Sequence, residues 1–308
     1  MSFAILLLIP TILLAGKISA PPEATEGMRL LYAGDADAAV ERFRIVQQKL
    51  PESPLGYLLE VDARWWKMYC AACERKWNTV DAWKRGRLPE DDAYLQLADR
   101  AIALAEAALK KQESAEMHFY AGMGLALKAR LHGLRDERRA TARTGVAARE
   151  HFLRALALDP NFTDAYTGLG LYNYYVDTLS AFARVLRFFM GIPGGSKQEG
   201  MRQLRLAIAG GEMTRAEARF YLAKALRNYE QKYAEAIELM LPLAEQYPRN
   251  AVFHLLLGDM YAKLARNEQA AASFRTAMEL PVSNAACRAR IQRVARESLE
   301  ALKLPVRR

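Results

Sequence analysis

Between Ala251 and Asn284 the apolar positions recur with a helical period and change phase once, which predicts two helices joined by a turn. Leu257 and Tyr261 stand four apart on one face of the first helix, with Gly258 beside them. Ala270, Phe274 and Ala277 share one face of the second. The small residues at 258, 270 and 277 let the two backbones approach, and Tyr261 and Phe274 fill the remaining space. The spacing returns through the chain. It is carried by Phe220, Ala223, Tyr233, Ala236, Met240, Leu243 and Pro248, by Ala148, Phe152 and Ala155, and by Gly34, Ala39, Phe43, Val46 and Pro51. No segment alternates with period two, so strands are not predicted. Gly and Pro gather at the joints: Pro51, Pro54, Pro160, Pro193, Gly210, Gly211, Pro248 and Pro281.

A unit of about 34 residues with this register resembles the tetratricopeptide-repeat superfamily. The resemblance runs from about Gly27 to Val282 and is most regular in 217–250 and 251–284. It implies an all-α, right-handed helical-repeat solenoid of about five to six helix pairs, with two helical insertions and a C-terminal capping helix. In a chain of 308 residues such units stack on their neighbours, so residues 21–308 are expected to form one solenoid. Repeats of this kind usually bind proteins or peptides in a concave groove built by the first helix of each pair. Counting along those helices places Asp164, Thr167, Leu171, Tyr174, Tyr221, Asn228, Leu255 and Asp259 on the groove wall. The segment Ala285–Leu302, with Ile291, Val294, Leu299 and Leu302 along one side, is the expected cap.

Two stretches interrupt the register. Residues 129–145 are basic, with Arg130, Arg135, Arg138, Arg139 and Arg143. They predict a helix extended by three turns with a solvated basic face, or a contact surface for an anionic partner. Residues 174–197 carry Val176, Leu179, Phe182, Leu186 and Phe189 at steps of three or four. That pattern predicts an extra helix packed in the groove, or a docking helix for a membrane surface or a partner helix. The glycine-rich turn 191–197 lacks phosphate-loop spacing, and Ser196 is placed to cap the next helix. The insert resembles the tetratricopeptide-repeat 39 and inclusion-body-clearance type and its bacterial exported relatives, which implies no catalytic residue.

The first 20 residues bear on location. Phe3–Ala15 is apolar apart from Thr11 and shorter than the roughly 20 residues a spanning helix needs. Ile18-Ser19-Ala20 offers a cleavage triplet, so 1–20 reads as a signal peptide or a short membrane anchor. Export to the periplasm or envelope is expected. In an oxidising compartment Cys70 and Cys73 could pair within a helical run, or stay as small buried apolar groups. A redox protein using Cys70 and Cys73 is the second alternative function. Cys287 stands alone far along the chain.

The remaining chemistry is sparse. His118, His132, His151 and His254 form no metal-ligand spacing, and no nucleophile or paired-carboxylate motif is present. Neither a catalytic residue nor a metal or cofactor is expected. The net charge of +9 comes with Arg clusters at 138–154 and 288–296. They lack interleaved aromatics, so nucleic acid is not the expected partner. The sequence supports a non-enzymatic scaffold that binds a protein or peptide. The alternative is a peripheral protein docked on an anionic membrane surface through 176–190 and the Arg clusters.

Overall fold

The computed structural model describes residues 18, 20–72, 87–179, 187 and 191–302. The described residues contain no strand. Their α-helices are α1 (Pro22–Tyr32), α2 (Ala36–Lys49), α3 (Leu55–Ala71), α4 (Pro89–Lys111), α5 (Ala115–Leu134), α6 (Arg138–Leu158), α7 (Ala165–Asp177), α8 (Lys197–Gly210), α9 (Arg215–Ala225), α10 (Tyr233–Gln246), α11 (Ala251–Lys263), α12 (Asn267–Glu279) and α13 (Ala285–Ala301). Consecutive helices pack as hairpins, from α1 with α2 to α11 with α12, and α13 follows alone. This is the helical-repeat solenoid that the periodicity predicts.

Local chemistry sets the boundaries. Asp35, Ser114, Ser196, Asn250 and Asn284 each accept a backbone N–H of the first turn of α2, α5, α8, α11 and α13. Such caps satisfy donors that have no intrahelical partner. Within the hairpins a glycine on one helix receives a large side chain from the other. A Cβ at Gly258 would lie 2.6 Å from the Phe274 ring, and one at Gly168 would lie 2.0 Å from the ring of Phe152. Where α7 crosses α8 the close neighbours are backbone atoms. A Cβ at Gly200 would meet the Gly170 carbonyl oxygen and the Tyr174 nitrogen, both at 2.7 Å. Backbone cannot rotate aside as a ring can. Gly200→Ala should therefore fall at or above the upper end of the roughly 1–3 kcal/mol overpacking range, read as a lower denaturant midpoint. A loss below about 1 kcal/mol would contradict the crossing.

The two insertions are built differently from the simplest expectation. The basic stretch does not extend one helix by three turns. Residues 129–134 lengthen α5 and 138–145 begin α6, so the excess forms the tip of one long hairpin. Nor is its basic face wholly solvated. Arg135 is buried and makes two 2.7 Å hydrogen bonds to the Asp91 carboxylate on α4. Arg130 also turns inward. Of the second insert, Val176 and Leu179 lie at its start, while Phe182, Leu186 and Phe189 fall outside the described residues.

The solenoid closes on itself. The odd-numbered helices line the inside, with contacts from α1 to α3, α3 to α5, α5 to α7 and α7 to α9. The last helix, α13, packs on α11 and α12 and also on α3. It therefore does more than cover an open edge. Asn250 Nδ2 donates to the Tyr32 carbonyl at 2.8 Å, and the Tyr32 and Tyr247 rings lie 5.6 Å apart. Cys70 on α3 is joined to Cys287 on α13, with Cα atoms 5.1 Å apart and a sequence separation of 217. This corrects the pairing of Cys70 with Cys73. The Cys70 sulfur is taken by a partner that only the ring closure brings near, and Cys73 lies outside the described residues.

Candidate functional site

Inside the curve, between α5, α6, α7 and α9, lies a cavity of about 1210 Å³. Its walls are largely apolar: Phe119, Met123, Leu127 and Leu134 on α5, Ala142, Ala148 and Phe152 on α6, and Leu171 and Val176 on α7. The walls have a simple origin. The helices of the α5–α6 hairpin are longer than those of the α7–α8 pair that follows, and the small residues Ala126, Ala129, Gly133, Ala142 and Gly145 along the cavity leave space rather than fill it. Leu179, Arg187 and Ile192 also line it, so the described parts of the second insert border the cavity from both ends.

The floor is charged and buried. Arg130 reaches from α5 to Glu217 on α9, and its Nη1 lies 3.5 Å from Asp62 Oδ1 on α3. The guanidinium sits over the Tyr221 ring at 4.9 Å and the Trp65 ring at 5.7 Å. Trp65 Nε1 donates to the Tyr221 hydroxyl at 3.0 Å, tying α3 to α9. Lys224 stands 4.8 Å from the centre of the Tyr69 ring and 5.7 Å from that of Tyr221. Burial, reinforced by the negative charge of Glu217, pushes the Asp62 carboxyl up to about 8 against the pull of Arg130. Asp62 thus holds a proton in the folded chain that it loses near pH 4 when unfolded. Its contribution to stability is full below about pH 4 and falls away as the pH rises to 8. Asp62→Asn should flatten that slope, read as denaturant midpoints between pH 5 and 8. Parallel slopes in the two proteins would refute the assignment.

At the far end of α9 the helix widens into one π-helical segment, Leu226–Glu230, closed by Gln231 in the left-handed region. Such segments are frequent at functional sites. This one presents Asn228 and the half-exposed Tyr229 to the cavity. Arg227 turns the other way, where its Nε donates to the Asp259 carboxylate at 2.7 Å.

Residues 72–251 match the family described as regulator of microtubule dynamics protein 1-3, RMD1-3. The chain belongs to this family. The RMD1-3 match covers α4 to α10, and so nearly all of the cavity wall, but not Asp62 and Trp65 of the floor. No curated protein sequence matches the chain. Among solved structures the chain is similar to the human IFIT1 dimer with m7Gppp-AAAA, at 16% identity over 92% of this chain and 69% of that one, with a TM-score of 0.41. It is also similar to yeast Tom70, at 12% identity over 92% and 90%, with a TM-score of 0.31. At these levels the likeness says nothing of ligand or partner.

In this RMD1-3 chain the residues expected on the groove wall divide. Leu171, Tyr221 and Asn228 line the cavity. Asp164 and Thr167 border it too, but both are committed to structure. The Asp164 carboxylate accepts from the backbone N–H of Glu212, Met213 and Thr214, and Thr167 Oγ1 donates to Thr214 Oγ1 at 2.8 Å. Tyr174, Leu255 and Asp259 do not line it. Tyr174 is fully buried, its hydroxyl 2.8 Å from Glu230. Leu255 is core, and Asp259 is held by Arg227. The count along a first helix gave position but not curvature, and the closure buries α11 against α13. Sequence reasoning missed Arg130, Glu217, Asp62, Trp65 and Lys224. The signal within reach was a run of charged residues at inward helical positions, Asp62, Glu217 and Lys224. Among the described residues no His, Cys, Asp or Glu cluster could hold a metal ion, and no helix is long and apolar enough to cross a membrane.

Proposed function

We propose that this chain is a non-enzymatic binding scaffold whose ligand, an apolar segment of a partner protein, sits in the cavity between α5, α6, α7 and α9. The cavity itself carries the reading. Protein interiors are close-packed, and a large apolar hollow with a few convergent polar groups is the usual form of a ligand site. Here the polar groups are Arg130 and Glu217 at the floor and Asn228 at the side. A photo-crosslinking amino acid at Leu171, inside the cavity, is expected to capture a discrete partner. The same group at Leu153, exposed on the outside of α6, should not. Identical adducts from both positions would refute the cavity reading. The family description makes polymerised tubulin one concrete protein partner to try by co-sedimentation.

One observation favours a second reading. The wall from Leu134 across Leu171 to Val176 is apolar, which suits the hydrocarbon chain of an amphiphile as well as a peptide. Organic extraction and mass spectrometry of the purified protein separates the two, since a stoichiometric amphiphile supports this reading.

The same proposal places the scaffold at the cell envelope, by the apolar segment 1–20. It also keeps the kinship of the 174–197 insert to the tetratricopeptide-repeat 39 type. Recovery of the full-length chain only in a cytosolic fraction would overturn the placement. Docking on an anionic membrane through 176–190 and the Arg clusters would show as flotation with anionic vesicles.

A further inference from the structure

The turn after the second insert, discounted as a phosphate loop, has work that the spacing did not reveal. It holds a guanidinium against the cavity. Arg187 Nη1 donates to the Ile192 carbonyl at 3.2 Å, and a Cβ at Gly194 would come within 3.0 Å of the same nitrogen. Tyr172 on α7 is pinned to this turn, its hydroxyl donating to the Pro193 carbonyl at 2.9 Å. On α6, Arg149 lies over the Tyr172 ring, 5.7 Å from its centre. Both arginines line the cavity and both act on the Tyr172 hydroxyl, their positive charge opposing the effect of its burial.

Two like charges thus act on one tyrosine. Among the described residues neither guanidinium makes an ion pair, and the Nε of each is buried with no hydrogen-bond partner. Glu150, the carboxylate that also acts on Tyr172, is exposed on α6 and pairs with neither. A buried donor left without an acceptor is costly. An oxyanion supplies the missing acceptor, because the guanidinium fork matches carboxylate and phosphate oxygens.

We propose that Arg149 and Arg187 form an oxyanion subsite on the cavity wall, for a phosphate or carboxylate carried by an otherwise apolar ligand. This rests on the cavity being the ligand site. The floor is a poorer seat for the anion, since Arg130 is already paired with Glu217.

The test uses three probes on the full chain by titration calorimetry: decyl phosphate, 1-decanol and inorganic phosphate. Decyl phosphate should bind at least tenfold more tightly than 1-decanol. Arg149→Gln and Arg187→Gln should each remove most of that advantage while leaving 1-decanol unchanged. Arg149→Lys, which keeps the charge without the fork, should retain part of it and guards against a folding defect. Equal binding of the two decyl probes, or variants that bind decyl phosphate like the wild type, would overturn the subsite and leave the cavity reading standing. Inorganic phosphate binding as tightly as decyl phosphate would show a free-anion site and overturn the link to an apolar ligand. Failure of both decyl probes would overturn the subsite as an amphiphile site. Crosslinking from Leu171 then decides the cavity reading separately.

Discussion

Arg130→Ala is expected to destabilise the fold by about 3–5 kcal/mol, the range for removing one partner of a buried ion pair. Arg130 comes from α5, while Glu217 and Asp62 come from α9 and α3; both carboxyl groups are buried and Arg130 is mostly so. Without the guanidinium, Glu217 keeps a buried charge with no partner, and the Tyr221 and Trp65 rings lose the cation lying over them. The loss should appear as a lower midpoint in urea or guanidinium unfolding. A double variant, Arg130→Met with Glu217→Gln, removes the charges together and should recover much of the stability, because the penalty lies in the unpaired charge. An Arg130→Ala loss under about 1 kcal/mol, or no recovery in the double variant, would mean that the three helices are not joined through this cluster. Because Trp65, Arg130, Glu217 and Tyr221 all line the cavity, the same variants should alter its shape at the floor.

Loss of the Cys70–Cys287 bond should cost about 2–5 kcal/mol, as for removal of other native disulfides. The sequence separation of 217 places this bond among the long loops, where restriction of the unfolded chain is greatest. Cys287→Ser should lower the melting temperature, and a reducing agent should lower that of the wild type by a similar amount. The variant itself should no longer respond to reductant. Proteolytic mapping without reduction should recover the peptides of Cys70 and Cys287 linked, and alkylation should label Cys73. A wild type indifferent to reductant, or a linked Cys70–Cys73 peptide, would refute the closure between α3 and α13. The contacts that accompany the bond make it more than a local staple. Asn250 caps α11 with its oxygen while its nitrogen holds the end of α1, so two distant parts of the solenoid meet in one side chain.

The helices themselves were legible along the chain. Phe274 against Gly258, the cap at Ser196, and the phase changes between units are local statements, made by residues within about one turn or one hairpin of each other. Leu171, Tyr221 and Asn228, read as groove wall from the first-helix register, line the cavity. Tyr174, Leu255 and Asp259 share that register and face other elements instead, and nothing within one repeat distinguishes the two groups. The long hairpin shows the same limit. Its excess residues could be counted, but their division between α5 and α6, and the inward turn of Arg130 and Arg135, depend on α4 and α9 supplying Asp91 and Glu217.

The sequence by itself determined the all-helical repeat, the helix ends and the places where the repeat was opened, because periodicity and capping act over a few residues. The tertiary structure alone decided how far the solenoid curls. A small rotation at each helix pair accumulates over the array, and no single repeat encodes the sum. That sum brings Cys287 to Cys70 and Tyr221 to Trp65, forms the cavity, and sets both Arg149 and Arg187 on its wall.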